Sequence, residues 1–167
     1  MIVAQSGFRD EELFIPKEVL ERAGHSVMVA SIARAKAAGV KGAVLTPDMA
    51  VHEINPDFFD CVVVVGGPGS PALADDADVV SLLIAAAGKG KVIGGICLGP
   101  MALAKAGVLA GKNATVFPDR RAITLLRETA AHYKAEPVVT DGNVVTADGP
   151  QSAGQFGAAL AALLKKR

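Results

Sequence analysis

Five consecutive strand-forming residues, Cys61-Val62-Val63-Val64-Val65, run straight into a glycine pair, Gly66-Gly67, and this segment constrains the fold more than any other. A run that is apolar at every position has no face to offer water, so the strand it forms must be covered on both sides. That is the condition of a central strand in a parallel sheet with helices above and below. Val92 to Ile96 is a second segment of the same kind, and short β-branched stretches alternate with helical ones along the rest of the chain. No Pro/Gly/Ser-rich linker and no repeat breaks the alternation, so the pattern predicts one α/β domain over residues 1–167 with a doubly wound, mostly parallel sheet.

The remaining elements follow from local signals. Ile2 to Ala4 reads as a clipped first strand, followed by Gln5-Ser6-Gly7 and a helix from Asp10 to Ala23 that Pro16 should kink and Gly24 should end. Ser26 to Ala30 and Ala43 to Leu45 read as short strands, the second ahead of a Thr46-Pro47-Asp48 turn. Helices are expected over Asp76 to Gly88, directly after Cys97, and over Arg120 to His132, with a strand at Ala114 to Phe117. Strands at Val138 to Thr140 and Val144 to Thr146 flank a tight Asp141-Gly142-Asn143 turn, and a last helix spans Ser152 to Leu164.

Composition narrows the class of function. With 51% apolar but only 4% aromatic residues, Val, Leu, Ile and Ala must fill the core. Seventeen basic residues balance seventeen acidic ones, and the longest basic cluster is Lys165-Lys166-Arg167, so nothing supplies the concentrated positive face that nucleic acid requires. Cys61 and Cys97 are too far apart for a close-spaced metal pair, and two thiols cannot build a disulfide framework, which points to a reducing, cytoplasmic setting without a metal. Met1 to Gln5 lacks the charged start of a signal peptide, and apolar runs such as Val79 to Ala87, broken by Ser81, fall short of the ~20 residues that cross a bilayer.

Ligands of an open parallel sheet bind outside the carboxyl ends of its strands. Three features fall at such ends: the loop from Gly7 to Glu12, the Gly66-Gly67 pair, and Cys97. Cys97 lies in Gly94-Gly95-Ile96-Cys97-Leu98-Gly99-Pro100, a strand-to-helix junction whose small residues permit a sharp turn that lifts a nucleophile out of the sheet. The N–H groups and dipole of a following helix favour a thiolate, so Cys97 is expected to be acidic and nucleophilic. A small buried apolar residue is the plain alternative, and it is the reading that fits Cys61. Glu12, read alone, is a solvated first-turn residue that suits the helix dipole.

Gly95-Ile96-Cys97-Leu98-Gly99-Pro100 resembles the nucleophile elbow of the ThiJ/PfpI superfamily, and other segments match in order. Phe8-Arg9-Asp10-Glu11-Glu12-Leu13 with Pro16 resembles its first loop; Phe59-Asp60, the valine run and Gly66-Gly67 resemble its aromatic-aspartate, strand, glycine-glycine block; Asp141 to Thr146 with Gly149-Pro150 resembles its C-terminal hairpin. The resemblance covers nearly the whole chain. It implies a flavodoxin-like three-layer sandwich, no cofactor, and a homo-oligomer, dimer or hexamer. It also implies that a protonated Glu12 approaches the Cys97 sulfur, with the backbone N–H groups of Gly67 and Leu98 as an oxyanion hole.

Departures from the family pattern limit the chemistry. Leu98 stands where peptidase-like members carry a histidine, and Pro71 where they carry a glutamate; Phe117 precedes Pro118 where deglycase-like members carry a histidine. His25, His52 and His132 read as structural or surface residues, and the first strand is about three residues short of its relatives. The expected function is slow cysteine chemistry of the glyoxalase or deglycase kind on a small reactive carbonyl, through Cys97 assisted by Glu12. A redox or stress-protective protein with an oxidisable Cys97 is the alternative, and a peptidase or amidase is disfavoured by Leu98 and Pro71. Gly67-Pro68-Gly69-Ser70-Pro71-Ala72 fits a dinucleotide-binding pattern formally, but its two prolines remove donors a pyrophosphate would use.

Overall fold

The computed structural model describes residues 1–165; Lys166 and Arg167, two of the three residues of the C-terminal basic cluster, lie outside the described residues. Its strands are β1 (Ser6–Phe8), β2 (Ala30–Ser31), β3 (Ala37–Gly39), β4 (Val44–Leu45), β5 (Met49–Ala50), β6 (Cys61–Val64), β7 (Val92–Ile96), β8 (Asn113–Ala114), β9 (His132–Tyr133), β10 (Val138–Asp141) and β11 (Val144–Ala147). Its helices are α1 (Asp10–Arg22), α2 (Pro71–Ala74), α3 (Ala77–Gly88), α4 (Pro100–Lys105), α5 (Arg120–Glu128) and α6 (Ala153–Leu164).

The valine run occupies the middle of the main sheet, as its two apolar faces require. β6 and β11 pair in parallel with β7 on its two sides, and β10 alone runs antiparallel, as the edge partner of β11. The clipped first strand is the seam of this sheet. Ile2 bridges in parallel to both Ala30 and Val64: its N–H reaches the Val63 carbonyl at 2.7 Å and its carbonyl accepts from Val65 at 2.9 Å. On the other side Val3 donates to Ala30 at 2.9 Å, which attaches β2 and its parallel partner β5. Alternation along β6 then divides the core. Val62 and Val64 pack with Leu73, Leu83, Leu103 and Leu126 from α2 to α5, while Val63 packs with Phe156 and Leu160 of α6. The result is the expected three-layer, flavodoxin-like sandwich.

Several segments differ from the sequence expectation for local reasons. Ser6–Phe8, read as a link, forms β1 and pairs with β3, and β3 pairs with β4 in a small second sheet, so Ala43 to Leu45 does not join the main one. The buried Asp10 carboxylate holds this hairpin against α1 by accepting from Lys41 and Ala43 N–H, both at 2.9 Å. The strand expected over Ser26 to Ala30 is confined to Ala30–Ser31. The strand expected at Ala114 to Phe117 ends at Ala114, because Thr115 N–H donates to the Thr146 side chain at 2.9 Å rather than continuing a ladder. The helix expected to reach His132 stops at Glu128: Thr129 Oγ1 donates back to the Leu125 carbonyl at 2.8 Å, and Ala130 turns left-handed at φ 62°. His132 therefore starts β9. Among the described residues no helix is long and apolar enough to cross a membrane.

Candidate active site

Cys97 follows directly on β7 and takes φ 61°, one of two non-glycine residues with positive φ among those described. For a side chain with a Cβ this conformation costs on the order of 1–3 kcal/mol and persists only where its surroundings fix it. Here they do. Cys97 N–H donates to the Ala147 carbonyl at 2.9 Å, the Cys97 carbonyl accepts from Phe117 N–H at 2.8 Å, and Gly99 N–H closes the turn on Ile96 at 2.8 Å. The sharp turn read from the glycines is present, and it leaves Cys97 7% exposed.

The carboxyl group that meets this sulfur is Glu12, in the first turn of α1 and wholly buried. Gly66 makes the meeting possible: a Cβ at that position would lie 2.5 Å from the Cys97 Cβ and collide with the Glu12 carboxyl. Neither Glu12 oxygen has a partner at full hydrogen-bond geometry. Loss of water pushes the Glu12 pKa up to about 7, against the opposing pull of the Cys97 thiol, the Arg9 guanidinium and the Gly66 N–H. Arg9 is itself paired to Glu11 at 2.9 Å. The solvated first-turn glutamate is thereby replaced by a buried carboxylic acid of raised pKa.

The thiol departs from expectation. Burial and the facing Glu12 carboxylate push the Cys97 pKa up to about 12, although the backbone N–H groups of Gly67 and Leu98 beside the sulfur pull the other way. The expected acidity assumed a helix dipole acting on an exposed sulfur; α4 has six residues, and the sulfur is shielded from water. Ionising both groups would place two negative charges in one dry contact. The pair therefore titrates as a unit in which the first proton leaves near 7 and the second is retained.

The glycine segment after β6 serves packing rather than a dinucleotide. Gly67, at φ 114°, lets the backbones of Gly7 and Arg9 approach so closely that any Cβ would clash with them. Gly69 N–H donates to the Gly7 carbonyl and Ser70 N–H to the Gly67 carbonyl, both at 3.0 Å, so donors that a pyrophosphate would need are engaged internally. Among the described residues no group of three or more His, Cys, Asp or Glu side chains could hold a metal ion.

Glu12, Cys97 and the backbones of Gly67 and Leu98 are thus brought together, and the histidines are not. His132 is exposed at the start of β9, His52 is exposed in the short 3-10 turn Val51–Glu53 that follows β5, and His25 lines a cavity of about 450 Å³ beside Cys61. Pro71 opens α2 and Leu98 is half-buried. Sequence reasoning missed Asp10, the anchor of the hairpin, and the particular role of Gly66. The acidic start of α1 signalled the first, but not its partners some thirty residues away.

A doubly wound, flavodoxin-like α/β sandwich with a cysteine on a strained turn after a central strand, facing a buried glutamate, is the fold class and site geometry of this chain. The family model described as the DJ-1/PfpI family matches residues 1–163, and the chain belongs to that family. It is 40% identical to an uncharacterized protein of Methanocaldococcus jannaschii over 99% of this chain and 82% of that one. It is 33% identical to a protein named as a deglycase in Pyrococcus abyssi, over 90% of this chain and 89% of that one. The crystal structure of a ThiJ/PfpI domain protein from Brachyspira murdochii superposes with a TM-score of 0.95 at 32% identity, covering 99% of this chain and 95% of that one.

Proposed function

We propose that the protein acts on small reactive carbonyls by glyoxalase- or deglycase-like chemistry, with Cys97 as nucleophile and Glu12 as proton carrier. The observation that carries this reading is a wholly buried Glu12 set against the Cys97 sulfur, with the backbone N–H groups of Gly67 and Leu98 beside it. The deglycase name of the Pyrococcus abyssi relative supports the same class.

The addition step needs one proton, moved twice. As sulfur bonds to the aldehyde carbon, its proton passes to the Glu12 carboxylate and the carbonyl π pair moves to oxygen. Glu12 returns the proton to that oxygen, giving a hemithioacetal, while the two N–H groups hold the developing negative charge. For an α-oxoaldehyde, Glu12 then carries the proton from the aldehyde carbon to its neighbour, and water releases a hydroxy acid and regenerates the thiol. No electrons enter or leave, so no cofactor is required. Because Glu12 must be ionised to accept the thiol proton, turnover should rise as pH passes about 7.

Methylglyoxal loss catalysed by the wild type and absent in Cys97→Ala is the expected result; equal rates would reject the reading. A homo-oligomer, dimer or hexamer, and a cytoplasmic setting complete the proposal, and a light-scattering mass of one chain would remove the first of these. The buried glutamate favours one second reading, in which Cys97 is oxidised to a sulfinate that Glu12 and the two N–H groups hold. Mild peroxide should then modify Cys97 before Cys61.

A further inference from the structure

The geometry points to an apolar lip over Cys97 formed by Phe117 and Leu98, which selects α-oxoaldehydes bearing an apolar or aromatic substituent. This rests on the carbonyl reading above and names the substrate class within it. Phe117 is tied to the nucleophile through its backbone, its N–H donating to the Cys97 carbonyl at 2.8 Å. A second bond, from Asp119 N–H to the Phe117 carbonyl at 2.6 Å, fixes the turn on its other side. Phe117 is 41% exposed, in a chain with few aromatics.

Its position over the strand ends follows from Gly149. A Cβ added there would touch the Phe117 ring at 3.6 Å, and Gly149 lies two residues beyond Ala147, the acceptor of the Cys97 N–H. The ring thus stands by the carboxyl ends of β7 and β11, beside the turn that carries the sulfur. Leu98, next to Cys97 in the chain, packs partly against the core and leaves the rest of its apolar side chain exposed. Neither side chain can hydrogen-bond or neutralise a charged substituent, whereas a phenyl or branched alkyl group laid on them would shed water from both surfaces. Hydrophobic pockets discriminate by about 10- to 200-fold per methylene, so a preference of about tenfold is the low end for a larger group on an open lip.

The test compares kcat/KM for phenylglyoxal and methylglyoxal, each corrected for its rate with a small thiol in solution. Wild type should favour phenylglyoxal by about tenfold. Phe117→Ala should lose at least five times more efficiency toward phenylglyoxal than toward methylglyoxal, mainly through KM. Phe117→Tyr keeps the ring and should keep the preference, which separates loss of the lip from misfolding. Cys97-dependent turnover of both aldehydes, with a ratio that Phe117→Ala leaves unmoved, would overturn the lip and leave the carbonyl reading standing. If neither aldehyde is consumed in a Cys97-dependent way, the carbonyl reading falls and the lip falls with it.

Discussion

The two cysteines sit at opposite ends of neighbouring strands, Cys61 at the start of β6 and Cys97 just past the end of β7, and live in opposite circumstances. Cys61 opens β6, in register with Val92 at the start of β7, and is half-buried among strand residues of regular geometry. Cys97 comes after the far end of β7, is less exposed, and adopts a left-handed backbone beside a buried carboxyl group. If exposure alone set reactivity, Cys61 would be the more reactive. The contrast teaches that the fold sets its strained turn and buried carboxyl group together at one end of the sheet, where turns replace ladders and glycines let α1 close over the strand ends.

The sharpest way to break the contrast is Gly66→Ala. The new Cβ would lie 2.5 Å from that of Cys97 and clash with Glu12, so the pair must separate. Aldehyde turnover should vanish, and overpacking should cost about 1–3 kcal/mol in a denaturant titration. Next comes Glu12→Gln, which keeps the shape but cannot carry a proton; kcat/KM should drop by about 10²- to 10⁴-fold with folding retained.

Glu12 also links stability to pH. Its pKa is raised in the folded state, from the ordinary 4.5 to about 7, so the folded protein binds more protons than the unfolded chain between those values. That stabilisation is present in full below about 4.5 and is lost as pH rises through about 7. At about 1.36 kcal/mol per pKa unit the loss is on the order of 3 kcal/mol. Glu12→Gln should remove this slope, so chemical denaturation at several pH values should show the mutant gaining on the wild type across the window. The smallest effect is expected of Cys61→Ser, which should change turnover less than twofold; a larger loss would show that both ends of the sheet take part.

The sequence discloses what neighbours along the chain decide. The valine run announces a two-faced strand, and the glycines around Cys97 announce a sharp turn; both are present. It hides what distant residues decide together. The second sheet depends on Asp10 reaching Lys41 and Ala43, and the early end of α5 on a side-chain bond from Thr129. The pairing of Glu12 with Cys97 was legible only through the family resemblance, since 85 positions separate them. The thiol's behaviour was not legible at all. A helix start in the sequence argues for an acidic cysteine, but burial and a facing carboxylate act only once the chain is folded.

The rate of Cys97 alkylation by iodoacetamide against pH, followed peptide by peptide by mass spectrometry, tests the shared proton most directly. In the wild type the rate should rise around pH 7, where the pair loses its first proton. In Glu12→Gln that rise should move to distinctly higher pH, because the buried thiol must then ionise without a carboxylate to take its proton. The same midpoint in both proteins would contradict the account.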